Sequence, residues 1–162
     1  AAGADTTATT LVNTLVFLSA YGLIDAVRAD HELVNTAIEE AMRWYPAFPA
    51  TLTTAKDDVA LDGQSIAAGQ SVTAWISAAN RDPERFPDPN SFNIRRRPNT
   101  HLSFGHGPYH CLGAPLARLE LRTALPAVLK RLPGLRWESD RPFSRTPGIV
   151  HRVNEARFTF DR

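Results

Sequence analysis

Proline decides where this chain can be helical. The sequence holds 12 prolines, and a proline ring inside an α-helix removes an N–H and clashes with the preceding turn. Pro46, Pro49, Pro83, Pro87, Pro89 and Pro98 crowd the middle of the chain, so long helices are confined to the segments on either side. Before Pro46, residues 1 to about 20 read as a helix rich in Ala, Leu and Thr, broken at Tyr21-Gly22. Residues 23–29 read as a short second helix and residues 31–44 as a third, with Asp30 placed to cap its N-terminus. Beyond the prolines, residues 112–132 carry a long amphipathic pattern. Pro115 falls in its first turn, where proline is tolerated, and Pro126 falls inside it, where a kink or local distortion is expected.

The region between changes period. Residues 51–72 include "VALDGQSIAAGQSV", whose apolar residues alternate around Asp62-Gly63 and Ala68-Gly69, a pattern of short hairpin strands. Residues 73–80 fit one more short helix, residues 82–99 an irregular proline-rich meander, and the tail from Leu135 short strands and turns. The expected fold class is therefore mainly α with small β-sheets. A chain of 162 residues is long enough to bury a core. Lys and Arg total 18 against 17 Asp and Glu, so a net charge of +1 makes no case for nucleic acid or an anionic membrane as partner. The longest apolar stretch, residues 15–24, is interrupted by Ser19 and Gly22 and falls short of a membrane span. The N-terminus lacks the basic region of a signal peptide.

The single cysteine, Cys111, lies in "SFGHGPYHCLGAPLARLE", just before the long helical pattern. A sulfur at a helix start faces unpaired amide N–H groups and the positive end of the dipole, which favour a thiolate. Gly105, Gly107 and Gly113 allow the backbone to approach something flat or bulky. A thiolate on such a loop is a metal ligand or a nucleophile; the alternative is a buried structural cysteine behaving as a small hydrophobe. His101, His106 and His110 lie close in sequence, but their spacing matches no usual Cys/His zinc pattern.

Phe104, Gly107, Cys111 and Gly113 stand in the order Phe, two residues, Gly, three residues, Cys, one residue, Gly. With this spacing, "FGHGPYHCLGAPLAR" resembles the haem-binding loop of bacterial cytochrome P450 enzymes. The resemblance implies haem b with Cys111 as axial thiolate ligand, and a cofactor-binding loop that includes Phe104, Gly105, Gly107, Tyr109, His110 and Gly113. "AGADTT" resembles the oxygen-binding groove of the family's central helix, with Ala2 beside the cofactor and Asp5-Thr6 as the acid–alcohol pair that delivers protons. Glycine in a helix costs about 1 kcal/mol relative to alanine, so Gly3 calls for a compensating role. "EEAMRW" and "SFNIRRRP" resemble the family's Glu-x-x-Arg motif and its meander arginine, which makes Glu40, Arg43 and Arg96 a structural set. Read alone, Glu40 and Arg43 are a helix-surface pair worth about 0.2–0.5 kcal/mol.

Two departures stand out. The position two before the cysteine, usually a His or Arg that holds a haem propionate, is Tyr109, with His110 next to the cysteine. The strand near Leu52-Thr53-Thr54 lacks the family's propionate-binding Arg.

The resemblance implies that residues 1–162 are the C-terminal portion of one haem-thiolate enzyme domain, from the central oxygen-binding helix through the haem loop to the last helix. The N-terminal portion would be absent, leaving one face of the central helix exposed. Ala47, Phe48 and Ala50, with Ile149 and Val150 of a later turn, match substrate-contact segments and are apolar. The implied activity is a cytoplasmic monooxygenase inserting one oxygen atom from O2 into a largely apolar small molecule, with electrons from a ferredoxin-type partner and no nucleic acid or membrane involved. The alternatives are a peroxide-driven haem-thiolate enzyme, against which Asp5-Thr6 argues, and a truncated, non-catalytic fragment.

Overall fold

The computed structural model describes residues 2–140, 143–146 and 150–161. Three helices precede the proline-rich middle, α1 (Ala2–Ala20), α2 (Ile24–Ala29) and α3 (Leu33–Trp44), and one long helix follows it. Asp30 does not begin α3. It ends α2, donating its N–H to the Ala26 carbonyl, while its carboxylate accepts the Glu32 N–H at 3.0 Å; the helix proper starts at Leu33. Aspartate can close such a local turn as readily as it caps a helix, so the same residue signals both.

The β residues form nested hairpins. β1 (Thr51–Thr54) pairs antiparallel with β4 (Ser71–Ala74), and β2 (Val59–Leu61) pairs with β3 (Gln64–Ile66) between them. Asp62 and Gly63, with φ of 48° and 76°, make the two-residue turn that joins β2 to β3. The Ala68-Gly69 pair makes a turn but no hairpin: it feeds β4 back onto β1. The predicted helix over residues 73–80 shrinks to α4 (Ile76–Ala79), because β4 claims the first residues. A meander then runs to α5 (Ala114–Arg131), preceded by a 3-10 turn at Gly107–Tyr109.

α5 runs unbroken through Pro126. Leu121, Leu125 and Leu129, four residues apart, are buried along one stripe, and their packing holds the helix against the cost of the proline. They share a core with Leu18, Val34, Ala37, Ile38, Ala41 and Ile94.

The tail folds as β5 (Arg136–Trp137) paired with β8 (Phe158–Thr159), and β6 (Ser144–Thr146) paired with β7 (Arg152–Glu155). These strands limit one expectation: apart from its last residue, the exposed face of α1 is confined to its first turns, at Gly3, Ala4, Asp5 and Ala8. No residue of α1 from Thr9 to Ser19 is exposed. α3 and α5 cover it on one side, and the tail lies against it elsewhere, with Trp137 donating its N–H to Ser19 and Val153 to Thr9.

Candidate functional site

A cavity of about 650 Å³ opens where α1, the end of α3, β1 and the loop before α5 meet. Thr6, Thr7 and Thr10 of α1 line it, as do Ala47, Phe48, Ala50 and Leu52 after α3, and Phe104, Gly105, His106, Tyr109 and Cys111 of the loop. Met42, Ile76, Leu102, Ala117 and Leu121 complete mostly apolar walls.

The loop is held in shape locally. Cys111 donates its N–H to the Phe104 carbonyl at 2.8 Å, which closes a tight lobe, and its carbonyl accepts the Ala114 N–H at the start of α5. Gly105 and Gly107 take φ of +72° and +67°, a region that strains other residues. Cys111 is exposed, so the structural-cysteine alternative fails. Zinc finds no ligand set: His101 is already engaged at both ring nitrogens, and no group of three metal-ligating side chains occurs among the described residues.

The expected acid–alcohol pair divides. Thr6 lines the cavity, and its carbonyl accepts the Thr10 hydroxyl at 2.8 Å, a back-bond of the kind that bends helices. Asp5 is half-exposed, is not among the lining residues, and sits 3.5 Å from Arg152 of β7. A Cβ at Gly3 would meet nothing within 4 Å, so packing does not explain the glycine. Ala2 begins α1. Of the expected substrate contacts, Ala47, Phe48 and Ala50 line the cavity, Val150 does not, and Ile149 lies outside the described residues. Tyr109 lines the cavity although it is largely exposed; His110 does not, and its ring centroid lies 6.3 Å from that of Phe104. His106 lines it too, a role that its place in the loop did not reveal.

Beneath the loop, Glu40 and Arg43 are fully buried, which overturns their reading as a surface pair. Arg43 holds both Glu40 oxygens at 2.8 Å, and Arg96 approaches the same carboxylate at 3.1 Å. The Asn93 N–H and the Asn99 amide complete its shell. The guanidinium groups spend their other donors on the meander: Arg43 on the carbonyls of Asn80, Pro89 and Ser91, Arg96 on those of Pro87, Asp88 and Ser91. Sequence reasoning missed Asn80. Fully buried, it accepts the Leu102 N–H at 2.8 Å and donates to the Ser103 hydroxyl, tying the start of the loop to α3. Its only signal was a polar residue at the end of a short apolar helix.

The sequence profile described as cytochrome P450 matches residues 1–154. The cytochrome P450 monooxygenase PikC of Streptomyces venezuelae is 46% identical over 136 residues, which is 83% of this chain and 33% of that protein. The mycinamicin IV hydroxylase/epoxidase of Micromonospora griseorubida is 52% identical over 110 residues, 65% of this chain and 27% of that protein. The crystal structure of CYP109E1 from Bacillus megaterium in complex with testosterone superposes with a TM-score of 0.93 at 33% identity, covering 99% of this chain and 45% of that chain. The chain thus spans about a quarter to just under half of the length of these proteins.

Proposed function

The chain belongs to the cytochrome P450 family, and from that premise we propose that it is the C-terminal portion of a haem-dependent monooxygenase that inserts one oxygen atom from O2 into a largely apolar small molecule. One observation carries the reading: Cys111 and Thr6, far apart in sequence, line the same mostly apolar cavity.

The cavity fits the cofactor in most respects. An exposed thiol on a glycine-rich lobe would supply a thiolate ligand to the iron, and Phe104, Leu102, Ala117 and Leu121 offer apolar surface to a macrocycle. Among the described lining residues no Lys or Arg is present to meet propionates, and Tyr109 and His106 are the polar groups available at the loop. Bound haem would supply the oxygen-activating chemistry, drawing on two electrons from a ferredoxin-type partner.

The chain's own residues then have separate tasks. Cys111 would ligate the iron of bound haem, and the Phe104–Cys111 backbone bond keeps this residue at the cavity. Thr6 holds a proton donor on the inner side. Asp5, half-exposed beside Arg152, exchanges protons with solvent and passes them to its neighbour. Ala47, Phe48, Ala50 and Leu52 present an apolar wall that selects the substrate by shape and excludes water. A relative named as a mycinamicin IV hydroxylase/epoxidase and a structure holding testosterone support a largely apolar organic substrate. Among the described residues no helix is long and apolar enough to cross a membrane. A cytoplasmic location is a separate part of the proposal.

The test is the absorption of the reduced, carbon-monoxide-bound protein. The thiolate-type band is expected in the wild type and absent in Cys111→Ala. A variant that kept the band would remove Cys111 from the role.

A further inference from the structure

Two glutamates stand side by side on α3, and they serve different networks. Glu40 belongs to the buried arginine set. Glu39 turns to the haem-type loop and grips it at both ends. Its carboxylate takes two hydrogen bonds from Arg118, Nε to Oε1 at 2.7 Å and Nη2 to Oε2 at 2.9 Å, and it lies 3.0 Å from His101 Nε2. His101 precedes Cys111 by ten residues and Arg118 follows it by seven. One side chain therefore closes the two stems of the segment that carries the sulfur.

The tautomer follows from the second contact on the ring. The Ser103 N–H donates to His101 Nδ1 at 3.2 Å, so Nδ1 is an acceptor and Nε2 carries the hydrogen that points at Glu39. The His101 side chain is 2% exposed, which leaves the ring no other orientation in water. The Arg118 guanidinium also lies over the Phe104 ring, 4.5 Å from its centroid, and the Phe104 carbonyl is the acceptor that holds the Cys111 N–H. The path from carboxylate to sulfur is short and made of fixed geometry: Glu39, Arg118, the Phe104 ring, and the backbone bond to Cys111.

We infer that Glu39 is a positioning residue for Cys111: its bridge between His101 and Arg118 sets the height and tilt of the loop above the cavity. The inference rests on Cys111 being the iron ligand. A glutamine at this position keeps the shape but turns one acceptor into a donor facing the Arg118 or His101 donor. Aspartate is one methylene short of spanning both stems.

The experiment uses the haem-loaded protein and follows the thiolate-type band of the reduced carbon-monoxide form over time, under conditions where the fold is intact by circular dichroism. Glu39→Gln and Arg118→Met are expected to speed decay of that band to the thiol type by at least about tenfold, the scale of losing a charge-assisted hydrogen bond. In both variants, amide exchange should rise over residues 102–113. Arg28→Met serves as the control: it removes bonds to the Leu129 and Leu132 carbonyls at the far end of α5 and has no link to the loop. Decay in Glu39→Gln no faster than in Arg28→Met would overturn the inference while leaving Cys111 as ligand. A thiolate band that survived in Cys111→Ala would instead overturn the ligand assignment itself.

Discussion

Removing the negative charge from Glu40 is the sharpest test of how the meander is held. Glu40→Gln keeps the volume and leaves two guanidinium groups, Arg43 and Arg96, facing an amide in a site closed to water. Asn93 and Asn99, which also donate to that carboxylate, lose their charged acceptor. Breaking one partner of a buried ion pair costs about 3–5 kcal/mol, against about 0.2–1 kcal/mol for an exposed pair. The larger figure is a third or more of the roughly 5–15 kcal/mol that holds an ordinary domain together. Urea unfolding, followed by the fluorescence of Trp44 next to Arg43, reads the difference directly. The double variant Glu40→Gln with Arg96→Met removes one stranded cation and should be more stable than Glu40→Gln alone by about 1 kcal/mol, within the usual range of coupling between contacting residues. A loss below about 1 kcal/mol in Glu40→Gln, with no recovery in the double variant, would refute the argument that burial rather than pairing makes this carboxylate indispensable.

Thr6→Ala should retain haem and substrate yet divert reducing equivalents to peroxide, and Asp5→Asn should slow product formation by roughly 10²-fold or more; unchanged coupling and rate in both variants would make the pair ordinary helix surface. Because Tyr109 lines the cavity and His110 does not, Tyr109→His should slow haem loss to an acceptor protein by roughly tenfold or more through a new charge-assisted bond. His110→Ala should change it little, and a sharp acceleration there would assign the anchoring to His110 instead. Burial opposes charge on Glu39, but Arg118 and His101 outweigh it and hold the carboxyl at about 2 against an ordinary 4.5. A lowered carboxyl contributes stability that is fully present above pH 4.5 and is lost as pH falls toward 2. Wild type should thus lose about 2–3 kcal/mol more than Glu39→Gln across that window, judged by urea midpoints; parallel acid profiles would contradict it.

What the sequence by itself determined is what short-range chemistry controls. Proline confines the long helices to either side of the middle, Asp62-Gly63 turns one hairpin, and the Phe104, Gly107, Cys111 and Gly113 spacing builds a lobe closed by its own backbone. Each signal acts over a few residues, where steric and hydrogen-bond rules do not depend on the rest of the chain. The tertiary structure decided everything that depends on who the distant neighbour is. Glu40 and Arg43 look like a solvated pair until the meander, about fifty residues away, buries them and supplies Arg96 and a set of carbonyls. Glu39 reads as one more acid on a helix face until His101 and Arg118 arrive from 62 and 79 residues away. Tyr109 rather than His110 lines the cavity, a choice between neighbours that their order in the sequence does not reveal. Apart from its last residue, α1 is open only in its first turns, at Gly3, Ala4, Asp5 and Ala8, because the tail strands donate backbone N–H groups to Ser19 and Thr9, a contact spanning most of the chain. A residue's burial, and with it the energy of every charge it carries, is a property of its packed surroundings, and no local pattern encodes it.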